Sequence, residues 1–286
     1  MTFAAVKIAE KIADADEFLA PLREAGKVIG FVPTMGALHR GHISLIEKCR
    51  SECGVVVASI FVNPLQFNDK KDFIHYPKTL QSDLEMLGNA GCDLVFVPDV
   101  GEMYPGNEEK YYDLGFIETV MEGKYRPGHY QGVARVVDRL FEIVRSDRSY
   151  FGAKDYQQIM VIKKMIAITG HRTEVEICPT VREKDGLAMS SRNMRLSPDQ
   201  RRSAPAIYLA LCELPEMIRK NGIQESYLWF RSHINNVPFL SLEYVQVTDA
   251  QTLMPLEKPE KGQVAAAFVS VFCGEIRLID NIFFVL

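Results

Sequence analysis

The stretch Phe31-Val-Pro-Thr-Met-Gly-Ala-Leu-His-Arg-Gly-His-Ile-Ser44 decides how this chain folds in our interpretation. It begins at the end of an apolar run, continues through a turn that contains glycine, and ends in a segment whose apolar residues have helical spacing. Parallel α/β sheets bind their ligands at such turns, at the carboxyl ends of their strands. The stretch therefore predicts a parallel sheet with a ligand site at one edge.

The flanking sequence predicts the rest of this sheet. We expect strands at Lys27–Val32, Gly54–Val62, Asp93–Val97, Arg148–Phe151 and Thr173–Cys178, and helices at Gly41–Cys53, Thr79–Ala90, Gly132–Ser146 and Tyr156–Ile168. Alternating strands and helices are typical of parallel sheets with right-handed crossovers. The fold class is therefore α/β, with a Rossmann-like parallel-sheet domain over residues 1–180.

A different pattern begins after Pro179. A helix is predicted over Ser197–Asn221, followed by strands at Leu242–Val247, Val264–Phe272 and Ile276–Val285, the last two joined at Gly274–Glu275. These elements predict a smaller α+β C-terminal domain over residues 181–286.

Composition restricts the class of protein. Lys and Arg total 33 and Asp and Glu total 37, which gives a net charge of −4. That balance argues against nucleic acid or an anionic membrane as the main partner. Met1–Glu10 lacks a basic segment followed by an apolar one, and the apolar run Gly54–Val62 is far shorter than a membrane span. We expect a cytoplasmic protein.

Two common phosphate-binding loops are excluded at the turn. No G-x-G-x-x-G is present, and although Gly36 and Gly41 have P-loop spacing, His42-Ile43 follows where Lys-Ser/Thr is required. What remains is His39-Arg40-Gly41-His42 at the start of a predicted helix. Helix dipoles and free N–H groups attract phosphate there, and two imidazoles three positions apart share a helix face.

His39-x-Gly41-His42 resembles the HxGH signature of the nucleotidylyl transferases and class I aminoacyl-tRNA synthetases. Met189-Ser-Ser-Arg-Asn193 resembles the second, mobile loop of that superfamily, the KMSKS loop. Two hydroxyls and a guanidinium suit a polyphosphate.

Further blocks narrow the resemblance to the pantoate–β-alanine ligase (pantothenate synthetase) family over nearly the whole chain. In order they are Pro33–His42, Phe61–Phe67, Tyr76–Thr79, Arg126–His129, Phe151–Asp155, Gln157–Gln158 and Asp185–Asn193. The resemblance implies a ligase that forms an amide bond. ATP and pantoate would give pantoyl adenylate and pyrophosphate, and β-alanine would then give pantothenate and AMP. It also implies Mg²⁺ and a homodimer.

Site residues follow from the same resemblance. Catalytic roles fall on His42, His39, Lys154, Ser190, Ser191 and Arg192. The resemblance also implies contacts with ATP through backbone donors, the two histidines and a closing loop. The residues concerned are Met35, Gly36, Ala37, Leu38, His39, Arg40, Gly41, His42, Gly152, Ala153, Lys154, Asp155, Val181, Met189, Ser190, Ser191 and Arg192. Pantoate and β-alanine contacts fall on Gln66 and Gln158.

Two positions stay open. The family often carries an acidic pair after the Tyr-Pro block, whereas here Ser82 precedes Asp83, so Asp83 alone is the candidate metal ligand. Arg126-Pro-Gly-His129 either shapes a turn or binds substrate.

Two other functions compete with this one. Another nucleotidylyl transferase of the HxGH superfamily would transfer a nucleotide to a phosphate. A non-catalytic nucleotide-binding module would bind ATP without releasing pyrophosphate.

Overall fold

The computed structural model describes residues 6–68, 70–106, 110–258 and 260–286. Within them the chain divides into two compact units, Met1–Pro179 and Thr180–Leu286.

The first unit is built on a six-stranded, wholly parallel sheet. Its strands are β1 (Lys7–Ala9), β2 (Ile29–Thr34), β3 (Val55–Ile60), β4 (Leu94–Phe96), β5 (Arg148–Gly152) and β6 (Glu174–Cys178). Its helices are α1 (Ile12–Glu24), α2 (Arg40–Glu52), α3 (Lys70–Ile74), α4 (Leu80–Asn89), α5 (Val100–Met103), α6 (Met121–Tyr125), α7 (His129–Val144) and α8 (Tyr156–Thr169). Single 3₁₀ turns occupy Pro64–Gln66, Gly115–Glu118 and Ala153–Asp155.

The strand order is β1-β4-β3-β2-β5-β6. From β2 the chain builds the sheet toward β3 and β4, and from β5 it builds in the opposite direction toward β6. The order therefore reverses between β2 and β5, and the loops after these two strands leave the sheet on opposite sides of a crevice. This is where a doubly wound sheet binds its ligand.

Both faces of the sheet are covered by apolar residues. Helices α1, α7 and α8 bury one face around Phe31, Phe96 and Phe141, and α2 and α4 bury the other around Ile46 and Leu87. All six residues of β3 are buried, which explains why its sequence is a nearly continuous apolar run and does not alternate with polar residues.

Helix α2 lies unusually close to the sheet. A Cβ built at Gly30 of β2 would overlap the sulfur atoms of Cys49, in the last turn of α2, and of Cys53, the residue after the helix. The glycine thus lets the C-terminal end of the helix approach β2 directly.

The second unit has a three-stranded antiparallel sheet in the order β7-β8-β9, with β7 (Leu240–Asp249), β8 (Val264–Cys273) and β9 (Ile276–Val285). Its helices are α9 (Pro198–Ser203), α10 (Ala206–Asn221) and α11 (Ile223–Asn235). Buried residues such as Leu211, Phe230 and Val269 form its core.

The predicted fold class is confirmed, with two local corrections. The single helix expected over Ser197–Asn221 is wrong, because the helix breaks at Ala204-Pro205 into α9 and α10. Proline at 205 supplies no N–H and favours a new helix start. Helix α11, entered through Gly222 at φ +81°, was not predicted.

Across the described residues, no helix combines the length and the apolar character that a membrane crossing requires.

Candidate active site

The loop between β2 and α2 is held by side chains of the protein itself. Gly36 and Ala37 both have positive φ, +78° and +49°. The N–H of Gly36 donates to the Thr34 hydroxyl over 3.2 Å, and those of Ala37 and Leu38 donate to the two oxygens of Asp83 over 2.9 and 2.8 Å. The expectation that Gly36, Ala37 and Leu38 hold ATP through backbone donors does not fit this geometry, because these donors are occupied.

The two histidines cap α2 reciprocally. His39 is the N-cap residue, and its Nδ1 accepts the N–H of Gly41 over 3.1 Å. Nδ1 of His42 accepts the N–H of His39 over 3.3 Å. A neutral imidazole that accepts through Nδ1 carries its proton on Nε2. Each ring therefore has an Nε2–H group that can donate to a ligand, and the ring centroids are 4.1 Å apart.

Both histidines are neutral at physiological pH. Burial, and to a smaller extent the Lys154 ammonium, lower the pKa of His39 from 6.5 to about 4, against an opposing effect of Asp155. Burial lowers the pKa of His42 to about 3, with contributions from His39 and Lys154. Neutral rings donate hydrogen bonds without adding charge, so these groups suit hydrogen bonding to a phosphate better than proton donation as imidazolium.

Arg40, between the histidines, is exposed and forms an ion pair with Glu47 at 2.5 Å. Its guanidinium is therefore engaged along the outer face of α2.

Lys154 lies across the crevice from the histidines. It belongs to the 3₁₀ turn Ala153–Asp155, which follows Gly152 at the end of β5, the strand next to β2. Its ammonium lies 3.3 Å from an oxygen of Asp155, and its side chain is 16% exposed. Because Lys154 acts on the pKa of both histidines, the structure brings these three predicted residues together at one site.

Gln66 is buried beside the same loop. It ends the 3₁₀ turn after β3, and its Nε2 lies 2.8 Å from the sulfur of Met35. The fully buried Asn63 donates to Gln66 Oε1 over 3.1 Å. Asn63 itself is fixed because its oxygen accepts from the Leu65 N–H and the Tyr104 hydroxyl. The Gln66 amide therefore has a defined orientation, with its NH₂ group toward Met35.

The turn that carries Gln66 is supported by the Arg126-Pro-Gly-His129 segment. Nδ1 of the buried His129 lies 2.8 Å from the Gln66 carbonyl oxygen, and Nε2 lies 3.0 Å from the Arg126 guanidinium. A Cβ at Gly132 would overlap the Leu65 backbone, so α7 contacts this turn directly. These contacts give the segment a structural role beside Gln66.

The two glutamines of α8 differ. Gln157 is buried and clamps another segment, donating to the carbonyls of Ile117 and Val120 and accepting the N–H of Glu122 over 2.8 to 3.1 Å. Gln158 is half-buried in the first turn of α8, at the carboxyl end of β5. Gln157 is thus occupied within the protein, and Gln158 as a pantoate contact stays a prediction.

Asp83, the candidate metal ligand, is 1% exposed in the first turn of α4. Beyond the two N–H groups, the Thr79 hydroxyl lies 3.1 Å from both of its oxygens. The residues the structure describes contain no cluster of three or more His, Cys, Asp or Glu suited to a metal ion. Asp83 as a ligand of Mg²⁺ does not fit, since the carboxylate is 1% exposed and two backbone N–H groups and a hydroxyl face its oxygens.

The remaining predicted residues belong to the second unit. The Val181 carbonyl accepts the Met189 N–H over 3.0 Å in a hairpin bridged at Arg182 and Ala188. The Ser190 hydroxyl accepts the Arg192 N–H over 3.3 Å and so caps the 3₁₀ turn Ser191–Arg195. Residues 189–192 are half-buried within this unit.

Comparisons with known proteins give one answer. The family model described as Pantoate-beta-alanine ligase matches residues 7–283. The pantothenate synthetase of Porphyromonas gingivalis is 45% identical over 277 residues, covering 97% of this chain and 99% of the relative. The chain belongs to the pantoate–β-alanine ligase family.

Solved structures of the family agree. The crystal structure of pantothenate synthetase from Thermus thermophilus has a TM-score of 0.89 at 42% identity, covering 97% of this chain and 99% of that one. The Francisella tularensis ligase, complexed with β-γ ATP and β-alanine, has a TM-score of 0.80 at 36% identity, covering 97% of each chain.

Sequence reasoning missed the groups that hold the candidate site in place. Asn63, Thr34 and Thr79 each orient a loop or a side chain described above. Asn63 had a local signal, because Asn before Pro favours a turn closed by its own side chain. The hydrogen bonds from Ala37 and Leu38 to Asp83, which follows them by 46 and 45 positions, leave no such signal in the sequence.

Proposed function

We propose that the crevice between β2 and β5 catalyses pantoyl adenylate formation, with the two Nε2–H groups of His39 and His42 and the Lys154 ammonium bound to ATP phosphate oxygens. As a family member the chain is a ligase that condenses pantoate with β-alanine at the expense of ATP. The observation that carries the residue assignment is the reciprocal cap, which commits both Nδ1 atoms and leaves both protons on Nε2.

The first step joins the pantoate carboxylate to ATP. A carboxylate oxygen attacks the α-phosphorus, a new O–P bond forms, and the bond to the leaving pyrophosphate breaks. Negative charge moves onto phosphate oxygens during this step. Fixed donors aimed at those oxygens lower the barrier because they need no reorganisation, and each is worth about 2.7–4 kcal/mol in comparable sites.

The second step forms the amide. The β-alanine amine attacks the acyl carbon of the mixed anhydride, AMP leaves with the bonding electron pair, and the amine loses a proton. Gln66 would hold pantoate and the entering amine, since an amide both donates and accepts. Gln158 holds pantoate from the first turn of α8.

We further propose roles for the second unit, residues 181–286. Met189–Arg192 would close over the triphosphate, with Ser190, Ser191 and Arg192 as donors, and the Val181 backbone would contact adenine. Gly152, Ala153 and Asp155 would lie against the nucleotide, Asp155 near the ribose. Met35 and Gly41 would contribute further ATP contacts from the first unit, Gly41 by letting the nucleotide approach the backbone, whereas Arg40 is paired with Glu47 and is assigned no contact.

Mg²⁺, a homodimer and a cytoplasmic location complete the proposal. Since Asp83 does not fit as a metal ligand, we expect ATP phosphates and water to supply most ligands of Mg²⁺, as this ion commonly prefers. Light scattering of the purified protein would test the dimer, and a monomer would refute it.

A product assay tests the overall reaction. Pantoate, β-alanine and Mg-ATP together should give pantothenate, AMP and pyrophosphate in equal amounts, and omission of pantoate should abolish all three. Nucleotide transfer to a phosphate acceptor, or tight ATP binding without pyrophosphate release, would contradict the assignment.

A further inference from the structure

We infer that Asp83 is a positioning residue, which anchors the Gly36–Leu38 loop and thereby sets the geometry of the histidine pair. This inference rests on the proposed function of that pair.

Both oxygens of Asp83 accept hydrogen bonds from the loop. Oδ2 accepts from the Ala37 N–H over 2.9 Å, Oδ1 accepts from the Leu38 N–H over 2.8 Å, and the Thr79 hydroxyl lies 3.1 Å from each oxygen. The carboxylate is 1% exposed. Hydrogen bonds to a charged acceptor are worth about 1.5–3 kcal/mol each, so this group holds the loop far more firmly than a neutral one would.

The loop needs such an anchor because its backbone is strained. Gly36 and Ala37 are consecutive residues with positive φ, and at Ala37 (φ +49°) the side chain makes this conformation unfavourable. The consecutive N–H groups of Ala37 and Leu38 converge on one carboxylate, as backbone N–H groups do in anion-binding concavities. Here the anion is the protein's own carboxylate, and a Cβ at Gly36 would lie only 3.1 Å from its Oδ2.

The anchored loop leads directly to the histidines. Leu38 precedes the N-cap His39, whose own N–H is bonded to His42. Releasing Ala37 and Leu38 would free the backbone that orients both imidazoles. Asp83 therefore acts on the nucleotide through His39 and His42, and contacts neither ATP nor a metal ion.

The test distinguishes an anchor from a metal-binding residue by measuring the binding of AMP, which needs no metal ion. AMP binding is measured in EDTA by calorimetry, and the Mg²⁺ dependence of pyrophosphate release is measured at saturating ATP. Asp83→Asn replaces one acceptor oxygen by an NH₂ group that faces a backbone N–H. We expect its AMP dissociation constant to rise by at least ~10-fold, with the Mg²⁺ midpoint unchanged within about 2-fold because no metal ligand is lost.

A matched control is available at the other end of β2. Asp147 accepts the Ile29 N–H over 2.7 Å where this strand begins, roughly 17 Å of extended chain from Thr34. Asp147→Asn makes the same chemical change, and AMP affinity should match that of the wild type.

Three outcomes decide the matter. If Asp83→Asn binds AMP normally in EDTA, the anchor role is wrong, and a raised Mg²⁺ midpoint corrected by excess Mg²⁺ would make Asp83 a metal ligand instead. If Asp83→Asn does not fold, Thr79→Val decides: a rise of about 3-fold in the AMP dissociation constant supports the anchor, and no rise overturns it. If the wild type fails to bind AMP, the proposed function fails first, and the anchor has no nucleotide to position.

Discussion

His42 receives the backbone N–H of His39 on its Nδ1 over 3.3 Å, while the two rings lie 4.1 Å apart. The contact satisfies a donor at the helix start that would otherwise lack a partner. It also determines which nitrogen of His42 carries the proton. Stability and chemistry therefore depend on different atoms of the same ring.

Two isosteric substitutions at His42 separate these functions. His42→Asn keeps an acceptor at the position of Nδ1 and loses the Nε2 donor, whereas His42→Gln keeps a donor near Nε2 and loses the capping acceptor. We expect His42→Asn to fold with near wild-type stability and to form adenylate ~10²-fold or more slowly. His42→Gln should lose about 0.5–2 kcal/mol of stability and retain more activity than His42→Asn.

Urea unfolding and single-turnover pyrophosphate release measure the two effects. Equal loss of rate in both variants would show that the Nε2 donor is not what matters.

The neutral histidines predict how stability changes with pH. In the unfolded chain both residues titrate near 6.5, but in the folded protein the pKa of His39 is about 4 and that of His42 about 3. Below 6.5 the unfolded state therefore binds more protons, so stability is complete above 6.5 and falls as the pH decreases toward 3.

Between pH 7 and pH 5 we expect His42 to account for up to about 2 kcal/mol of this loss, by the linkage between pKa shift and free energy. Urea unfolding of the wild type and of His42→Asn at both pH values measures that share. A histidine NMR signal that titrates near 6.5 in the wild type and is missing in His42→Asn would contradict the prediction.

The adjacent glutamines of α8 should respond differently to the same substitution. Gln158→Ala should raise the KM for pantoate and leave the melting temperature unchanged, since Gln158 is half-buried at the carboxyl end of β5. Gln157→Ala should lower stability by about 1–3 kcal/mol, because buried partners in the 117–122 segment lose their hydrogen bonds. A rise in the KM for pantoate in Gln157→Ala alone would contradict the assignment of Gln158 as the pantoate contact.

A methyl group at Gly30 should displace the C-terminal end of α2, the helix that begins at the histidine pair. Gly30→Ala forces α2 away from β2, since the new Cβ would overlap the Cys49 and Cys53 sulfurs. Overpacking of this kind costs about 1–3 kcal/mol. Because the helix moves as a rigid element, we expect the histidines at its other end to shift and kcat to fall.

Gly54→Ala is the matched control. Its nearest neighbour would be 3.6 Å away, an ordinary contact, so we expect little change in stability or rate. Wild-type activity in Gly30→Ala would show that α2 tolerates displacement.

Much of the fold could be predicted because its signals are local. The buried strands are continuous apolar runs, and α7 has apolar residues at helical spacing, so β3 and α7 were predicted to within three residues at either end. Strand β1 has only three residues, which is too short for any periodic pattern. Helix α1 contains Pro21, which argues against a helix on sequence grounds although the helix continues through it.

The site, too, has some residues with a local sequence signal and some hydrogen bonds without one. His39, His42 and Lys154 stand in motifs at strand ends, and parallel strands bring their carboxyl ends to one edge. The occupied backbone donors of Ala37 and Leu38 could not be foreseen, because their acceptor Asp83 reaches the loop from another helix. Tertiary hydrogen bonds of this kind leave no periodic trace in a sequence.

The most direct test of the central claim is isotope exchange between labelled pyrophosphate and ATP, with pantoate present and β-alanine absent. We predict that the wild-type protein exchanges label and that His42→Asn exchanges it ~10²-fold more slowly while remaining folded. Exchange that requires β-alanine would contradict a separate adenylation step. Equal exchange by both proteins would remove the histidine pair from the chemistry.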